Sequence, residues 1–202
     1  MEDYNRDINE RMVNKMYDII IIGAGPSGAS AALFTAKAGK STLILDNDKS
    51  VTKRAWLENH YGVEAISGPD LLETGKKQAQ KFGAEIKVEK AEKIEANDQG
   101  ISVLTENNQY EAKEIIIASG MLVDLAEASG IDVKPGTEPR IKKVIAVDQD
   151  GKTNMDHVWA AGTVAGVSMH TIITAGDGAK VAINVISSLN GERYVDHDMI
   201  KG

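Results

Sequence analysis

The sequence predicts an α/β fold in which a mainly parallel sheet carries a small antiparallel β-meander. Apolar, β-branched runs alternate with helix-forming segments, which is typical of parallel strands buried on both faces. A glycine-rich turn joins the first strand to the first helix, and residues 84–114 contain short strand-like stretches separated by polar turns. We expect residues 1–16 to form a polar N-terminal arm and residues 17–202 a single domain.

The composition excludes several kinds of chemistry. The 202 residues contain no cysteine, so disulfides, thiolate nucleophiles, Cys-ligated zinc and iron–sulfur clusters are excluded within this chain. His157 and His197 have no metal-ligand spacing with a carboxylate or with each other, so we expect no metal site. A formal net charge of −7 argues against nucleic acid or an anionic membrane as the main partner, because both attract basic surfaces.

The sequence also predicts a cytoplasmic location without a membrane. No apolar run approaches the roughly 18 residues that a transmembrane helix needs. Residues 1–15 carry charges throughout and lack the apolar centre of a signal peptide.

The first unit consists of a strand, a turn, a helix and a second strand. The strand Tyr17 to Ile22 is followed directly by the glycine turn of residues 23–28. Residues 29–38 favour a helix, which Gly39 ends as a C-terminal glycine. Residues 41–45, with the sequence STLIL, form the second buried strand.

A long polar loop and a second helix follow. Residues 47–66 are irregular, and a loop of this length in a compact domain is more often functional than accidental. Pro69 is typical of a first helical turn, and apolar residues at helical spacing extend the helix to about Gly83.

The rest of the chain alternates between strands and turns before a final helix. The meander comprises strands at 84–94, at 101–105 and into Glu114, with turns at 97–100 and 107–108; a separate parallel-type strand follows at 115–118. The segment 121–140 is mixed, and strands at 144–147 and 158–160 precede a helix at about 174–189.

The glycine turn and the acidic residue after the second strand predict a dinucleotide site. In the pattern Gly23-x-Gly25-x-x-Gly28, the glycines allow a tight turn, close approach of backbone to a pyrophosphate, and close packing of helix on strand. Asp46 ends the second strand, where a carboxylate accepts hydrogen bonds from ribose hydroxyls. The alternative is a glycine turn that binds no ligand. The spacing does not distinguish NAD from FAD, and no arginine follows Asp46 closely, which disfavours a phosphorylated ribose.

Three blocks of sequence identify a family. They are YDIIIIGAGPSGASAALFTAKAGKSTLILD (17–46), LENHYGVEAISGPDLLETGKKQAQKFGAEI (57–86), and VDQDGKTNMDHVWAAG (147–162) with ITAGDGAKVA (173–182). Together they resemble the FAD-binding part of the thioredoxin reductase family of flavoprotein disulfide reductases. The resemblance implies a Rossmann-like FAD-binding domain, with halves 17–120 and 143–202 joined by a short linker, and it implies a homodimer.

The resemblance also implies a set of FAD contacts. In this family the glycine motif contacts the pyrophosphate and the acidic residue the adenosine ribose, while a Glu-Asn motif, a Gly-Asp pair and the start of the last helix lie at the flavin. The positions that match are Gly23, Gly25, Pro26, Ser27, Gly28, Asp46, Asn59, Gly162, Thr163, His170, Thr171 and Ala175. Among them His170, at the position of a glutamine beside the isoalloxazine, is the one catalytic candidate.

The chain departs from the family pattern in several ways. The redox-active Cys-x-x-Cys belongs to a nicotinamide domain inserted between the flavin halves, and only about twenty residues connect Gly120 to Val144 here. Thr163 replaces the aspartate of the Gly-Asp pair, and Met169 replaces an arginine. The Gly-Gly-Gln loop is not recognisable in 49–55. We therefore expect that this chain does not perform dithiol exchange itself.

Further candidates lie in the long loop. His60 is either a proton donor near the flavin or a solvated surface residue, and Trp56 either stacks on the flavin or a partner or packs against the following helix. Lys53 and Arg54 either reach the pyrophosphate or a phosphorylated partner, or are solvated.

Three functional hypotheses remain open. The first is an FAD-dependent oxidoreductase supplied with electrons by an external donor, either a separate protein or NAD(P)H, with a small molecule or a partner protein as acceptor. The second is a non-catalytic FAD-binding module or sensor subunit. The third is an NAD-binding domain that uses only the first glycine motif.

Overall fold

The computed structural model describes residues 15–97 and 100–200. The predicted N-terminal arm lies outside the described residues up to position 14, and so does the centre of the turn predicted at 97–100.

The described elements include the strands and helices that the sequence predicts, together with short elements within residues 47–66 and 121–140 that it does not predict. The helices are α1 (Pro26–Lys37), α2 (Gly68–Lys81), α3 (Asp124–Ala128) and α4 (Thr171–Asn190), with 3-10 turns at Val51–Arg54 and Gly162–Ala165. The strands are β1 (Met16–Ile22), β2 (Thr42–Leu45), β3 (Trp56–Leu57), β4 (Ile66–Ser67), β5 (Glu85–Lys87), β6 (Ala91–Asn97), β7 (Gly100–Thr105), β8 (Gln109–Ile117), β9 (Val133–Pro135), β10 (Lys143–Ile145) and β11 (Val158–Ala160).

One mixed sheet forms the centre of the domain. Its strand order is β5-β2-β1-β8-β7-β6, and β11 pairs with the second half of β8. The pairs among β5, β2, β1, β8 and β11 are parallel, whereas β6, β7 and the first half of β8 form an antiparallel meander. The predicted α/β fold with an antiparallel meander is confirmed.

Three predictions about strands differ from the structure. Residues 84–94 are not one strand: β5 pairs with β2 at one edge of the sheet, and β6 pairs with β7 at the other. The strands predicted before and after Glu114 are one strand, β8, because β1 pairs with it along almost its whole length while its other side changes partner from β7 to β11. The strand predicted at 144–147 is shorter and pairs with β9 outside the central sheet.

The helices begin earlier than the sequence predicts. Helix α1 begins at Pro26 rather than residue 29, and α4 begins at Thr171 rather than near 174. In α1 the glycine turn itself provides the N-cap residue, so the motif forms the first helical turn. The glycine turn and the start of α4 are therefore both helix N-termini.

The core lies on both faces of the sheet. On one face, α1 and α4 pack against each other and against Ile21 and Ile116. On the other, the meander and the segment between the halves bury Ala126, Ile131 and Ile145. The linker is thus part of the core of the domain.

Helix α4 is long and apolar enough to cross a membrane, with a mean hydropathy of 1.2 over an 18-residue window. Core helices pass the same test, and Val181, Ala182, Val185 and Ile186 are buried within the domain. We interpret α4 as a core helix.

Candidate functional site

A cleft opens where four parallel strands end. Backbone hydrogen bonds extend the pairing past the strand ends, from Gly23 N to Leu45 O (2.8 Å), from Ala118 N to Ile22 O (2.8 Å) and from Ala161 N to Ile117 O (2.9 Å). The cleft has a volume of about 300 Å³. Open α/β sheets bind ligands at this edge, outside the carboxyl ends of their strands.

The glycine turn lines the cleft, and at two of its glycines a side chain would overlap backbone atoms. Gly23 has φ +104°, and a Cβ there would overlap the carbonyl oxygen of Ala118. A Cβ at Gly28 would overlap the carbonyl oxygen of Gly23. Gly25, by contrast, is needed for neither a positive φ nor close packing, since a Cβ there would lie 3.5 Å from Ser50 Oγ. Its openness toward the cleft leaves room for a ligand to approach the backbone.

The first turn of α1, beside the cleft, has backbone N–H groups that make no intrahelical hydrogen bond. No side chain caps the helix, and Pro26 occupies its first position. The first intrahelical bond runs from Ala29 N to Gly25 O (2.9 Å), so the N–H groups of Ser27 and Gly28 precede it. These donors and the positive end of the helix dipole favour an anion.

Ser27 adds a buried hydroxyl that has no partner. Ser27 is 6% exposed and lines the cleft, and its Oγ, which lies beside Gly162, makes no hydrogen bond within residues 15–97 and 100–200. Buried hydroxyls in native proteins are almost always hydrogen-bonded, so an unpartnered one at a cleft indicates a missing acceptor or donor.

Asp46 lies at the end of β2 with its carboxylate buried at the cleft wall. Its Oδ1 accepts hydrogen bonds from Ala24 N (3.4 Å) and Asp48 N (3.2 Å). Its Oδ2 accepts from Lys76 Nζ at 2.7 Å. The carboxylate predicted to contact ribose therefore also holds the glycine turn and the residues after β2 together.

Lys76 is a site residue that the sequence analysis missed. It lies in α2, four residues after Leu72 and three before Ala79, both of which are buried. A lysine at this spacing faces the same side as the apolar positions, where a charge requires a partner. That pattern was the available signal for a buried ion pair.

The loop after β2 is organised by a second ion pair. Asp48 has a positive φ of 57°, and Lys53 donates to its side chain at 2.6 Å and to its carbonyl at 2.9 Å. The hydrogen bond from Lys53, with its positive charge, lowers the pKa of Asp48. Lys53 is thus engaged within the loop, and Arg54 is exposed.

The C-terminal half contributes Thr163, Met169 and Thr174 to the cleft wall. Gly162, with φ +81°, donates its N–H to Asp177 Oδ2 at 2.8 Å. Asp177 lies in the second turn of α4, and its contact with Gly162 was not predicted from the sequence.

Two histidines flank the N-terminus of α4. His60 Nδ1 lies 3.0 Å from the hydroxyl of Thr171, a contact that joins the long loop to the first residue of α4. His170 Nδ1 lies 2.7 Å from Ser168 Oγ, which donates to Glu138 Oε2 at 3.2 Å. Because a hydroxyl has one proton, a Ser168 that donates to Glu138 accepts from the N–H at Nδ1 of His170.

Several predicted site residues lie away from the cleft. Asn59 is exposed, and Trp56 is 66% exposed, so packing on α2 does not bury it. The residues that form the cleft wall include Gly23, Gly25, Pro26, Ser27, Asp46 and Thr163 but not Gly28, Asn59, Gly162, His170, Thr171 and Ala175. Most of the FAD contacts predicted in the N-terminal half therefore lie at the cleft, whereas most of those predicted in the C-terminal half do not line it.

The end of the cleft beside the meander carries Glu89. Burial raises the pKa of Glu89, but hydrogen bonds from Tyr110 (2.6 Å), Thr105 (2.8 Å) and Asn108 (3.1 Å) outweigh it, so the pKa is lowered overall. The carboxylate is therefore an ionised, fixed acceptor at this end.

In the part of the chain that the structure describes, no group of three or more His, Asp or Glu residues is arranged to hold a metal ion. His157 instead hydrogen-bonds Glu114 at 3.1 Å, and His197 is exposed.

Comparisons with known proteins agree with this architecture. The family model described as pyridine nucleotide-disulphide oxidoreductase matches residues 17–138. The thioredoxin reductase of Aquifex aeolicus is 40% identical over 116 residues, covering 54% of this chain and 35% of that protein. That of Listeria monocytogenes is 37% identical over 109 residues, covering 52% of this chain and 34% of that protein. The chain thus spans about a third of the length of these curated relatives.

Solved structures share the fold at lower identity. A thioredoxin reductase from Gloeobacter violaceus aligns with a TM-score of 0.78 and 16% identity, covering 92% of this chain and 99% of that chain. The atypical thioredoxin reductase TRi from Desulfovibrio vulgaris Hildenborough aligns with a TM-score of 0.77 and 20% identity, covering 86% and 98%.

Proposed function

Because the chain belongs to the pyridine nucleotide-disulphide oxidoreductase family, we propose that it binds FAD in the cleft and is a flavoprotein oxidoreductase that receives electrons from an external donor. Ser27 carries the proposal. Its buried, unpartnered hydroxyl lies at the first turn of α1, where the backbone donors also point, and a pyrophosphate oxygen would satisfy it.

The residues present fit the group that the family implies. Gly25 leaves its backbone open beside Ser50 Oγ, and the N–H groups of Ser27 and Gly28, which make no intrahelical hydrogen bond, suit a pyrophosphate. Asp46 retains acceptor capacity for a ribose hydroxyl at the cleft wall. Thr163, in place of the family's aspartate, offers a hydroxyl instead of a carboxylate.

Bound FAD would supply hydride- and electron-transfer chemistry. The chain binds and orients the cofactor through α1 and Asp46. His170 is our candidate for proton transfer: with a proton on Nδ1 directed to Ser168, its Nε2 is left to exchange a proton. The absence of cysteine means that a disulfide acceptor would have to be reduced without a dithiol of this chain.

We expect Ser27→Ala to separate the stability of the chain from its affinity for FAD. In the FAD-free protein the substitution removes an unsatisfied group, so the unfolding free energy rises by about 1 kcal/mol; FAD affinity falls about fivefold to tenfold. Thermal unfolding and fluorescence titration with FAD measure the two effects. Ser30→Ala, one turn further along α1, is the matched control: it should leave FAD affinity unchanged and raise the unfolding free energy only by the roughly 0.5 kcal/mol of helix propensity. Equal FAD affinity in Ser27→Ala and wild type would refute the role of Ser27.

The visible spectrum of the purified protein distinguishes the functional hypotheses. A flavin band that bleaches with NAD(P)H or with a reduced electron-carrier protein supports the oxidoreductase. A flavin band that responds to none of these reductants favours the non-catalytic module or sensor subunit. A colourless protein that takes up no FAD on reconstitution, but binds NAD, favours the nucleotide-binding domain.

The proposal extends to assembly and location. We propose a homodimer, as the resemblance implies, with an electron donor or acceptor protein as a further partner, in the cytoplasm and without nucleic acid or membrane. Light scattering that gives a monomer mass at micromolar concentration would contradict the homodimer.

A further inference from the structure

We propose that Lys76 is a positioning residue for Asp46, which holds the carboxylate ready to accept a ribose hydroxyl from the adenosine half of FAD. The inference rests on the proposed function, since it concerns the same cleft. It gives a role to a residue of α2 that lies outside the glycine motif and outside the cleft wall.

The hydrogen bonds of Asp46 leave one oxygen for a ligand. Oδ1 already accepts from two backbone N–H groups, those of Ala24 and Asp48. Oδ2 accepts from Lys76 alone within the described residues. A carboxylate oxygen accepts about two hydrogen bonds, so Oδ2 has capacity for one more donor. The oxygen that a ribose hydroxyl would use is therefore the one that Lys76 holds.

Because the ion pair between Asp46 and Lys76 is largely buried, removing one partner costs more free energy than it would at the surface. The side chain of Asp46 is 7% exposed and that of Lys76 is 22% exposed. A carboxylate so far out of water is costly without a countercharge, and removing one partner leaves the other uncompensated. Without Lys76, Asp46 is expected to turn toward water or toward other donors and to lose its orientation at the cleft.

Packing fixes the lysine relative to the glycine turn. The residue before it, Gly75, lies close to α1: a Cβ at Gly75 would be 3.1 Å from the Cβ of Ala29. Lys76 thus projects from a helix whose position is set by contact with the helix of the glycine motif. Its ammonium group is placed by the fold rather than by a flexible loop.

The two lysines that contact Asp46 and Asp48 are both engaged by these carboxylates. Lys76 Nζ also lies 3.8 Å from Asp48 Oδ1, and Asp48 pairs with Lys53 at 2.6 Å. Two carboxylates therefore share two lysines, and neither cation is left to bind a phosphate. An additional phosphate would face both carboxylates.

The test uses FAD-free protein and three ligands: ADP, FAD and FMN, measured by isothermal titration calorimetry. Lys76→Met is expected to lower the affinities for ADP and FAD about tenfold. The affinity for FMN, which has no adenosine, should be unchanged. Unchanged FMN binding also shows that the variant is folded. Lys77→Met is the matched control, because the side chain of Lys77 is 71% exposed and, among the described residues, pairs with Glu73 along the helix surface at 3.1 Å.

A double-mutant cycle with Asp46→Asn tests whether Lys76 acts through Asp46. In that background Lys76→Met should change ADP affinity less than twofold. A tenfold loss there, or ADP affinity within twofold of wild type in the single variant, would overturn the positioning role. If the chain takes up no flavin but binds ADP in a way that depends on Lys76, the positioning role of Lys76 is supported and the proposed FAD function is contradicted. If the chain binds none of the three ligands, both proposals are overturned.

Discussion

Gly178→Ala is expected to destabilise the chain by about 3 kcal/mol, because α4 and α1 touch at this glycine. A Cβ at Gly178 would overlap the carbonyl oxygen of Ser27 and lie 2.8 Å and 2.9 Å from the carbonyl carbon and Cα of Ser27. These are backbone atoms, so the helices must separate, and overpacking of this kind typically costs 1–3 kcal/mol or occasionally more, of which we expect about the upper value. Thermal unfolding followed by circular dichroism measures the loss.

The matched control lies two residues away in the same helix. A Cβ at Gly176 would have no atom within 4 Å. Gly176→Ala should therefore stabilise the chain, by up to about 1 kcal/mol, because alanine favours a helix more than glycine does. Opposite shifts in the two melting temperatures are the expected result. Equal melting temperatures for Gly178→Ala and wild type would show that the helices do not touch as described.

The same contact couples folding to the cleft. Ser27 belongs to the N-terminal half and Gly178 to the C-terminal half, and Ser27 also supplies the unpartnered hydroxyl in the cleft. Separating α4 from α1 displaces the first turn of α1, where the pyrophosphate is proposed to bind. We expect Gly178→Ala to lose FAD affinity along with stability, unlike Ser27→Ala, which separates the two.

The fold was predictable where the sequence signal is local. The run from Tyr17 to Ile22 and the glycine turn predict β1 and α1, since each signal lies within the element it describes. The prediction of a single strand at 84–94 was wrong because strand propensity does not specify which strand a segment pairs with. After Lys87 the chain passes from one edge of the sheet to the other within a few residues. The two halves of β8 were separated for the same reason, since a change of neighbour leaves the strand continuous.

The candidate site was predictable to the same degree. Asp46 and the glycine turn lie together because a strand end and the preceding turn are neighbours in a βαβ unit. The contacts of Lys76 with Asp46 and of Ser168 with Glu138 each join residues 30 positions apart on different elements. Periodicity shows that Lys76 faces inward, but only the three-dimensional packing identifies its partner.

The second large effect is expected at Glu114, a buried carboxylate within β8, three residues before the end of the strand at the cleft. Its Oε2 accepts a hydrogen bond from Trp159 Nε1 at 2.7 Å, and both side chains are buried. Glu114→Ala should lower the unfolding free energy by about 3 kcal/mol, because it leaves the indole N–H without an acceptor and removes buried side-chain volume. Urea unfolding followed by tryptophan fluorescence measures this, since Trp159 is 3% exposed whereas Trp56 is 66% exposed.

Glu114→Gln distinguishes hydrogen bonding from packing. The glutamine keeps an oxygen that accepts from Trp159 and nearly the same volume, so the expected loss is about 1 kcal/mol. His157→Ala should cost less than Glu114→Ala, because the side chain of His157 is 58% exposed and the Trp159 bond is kept. If Glu114→Ala and Glu114→Gln were equally unstable, the Trp159 bond would not be the cause.

Because β11 pairs with β8 from Val158 and leads to Ala161 in the cleft wall, the same pair of side chains also fixes where the second half of the chain enters the cleft.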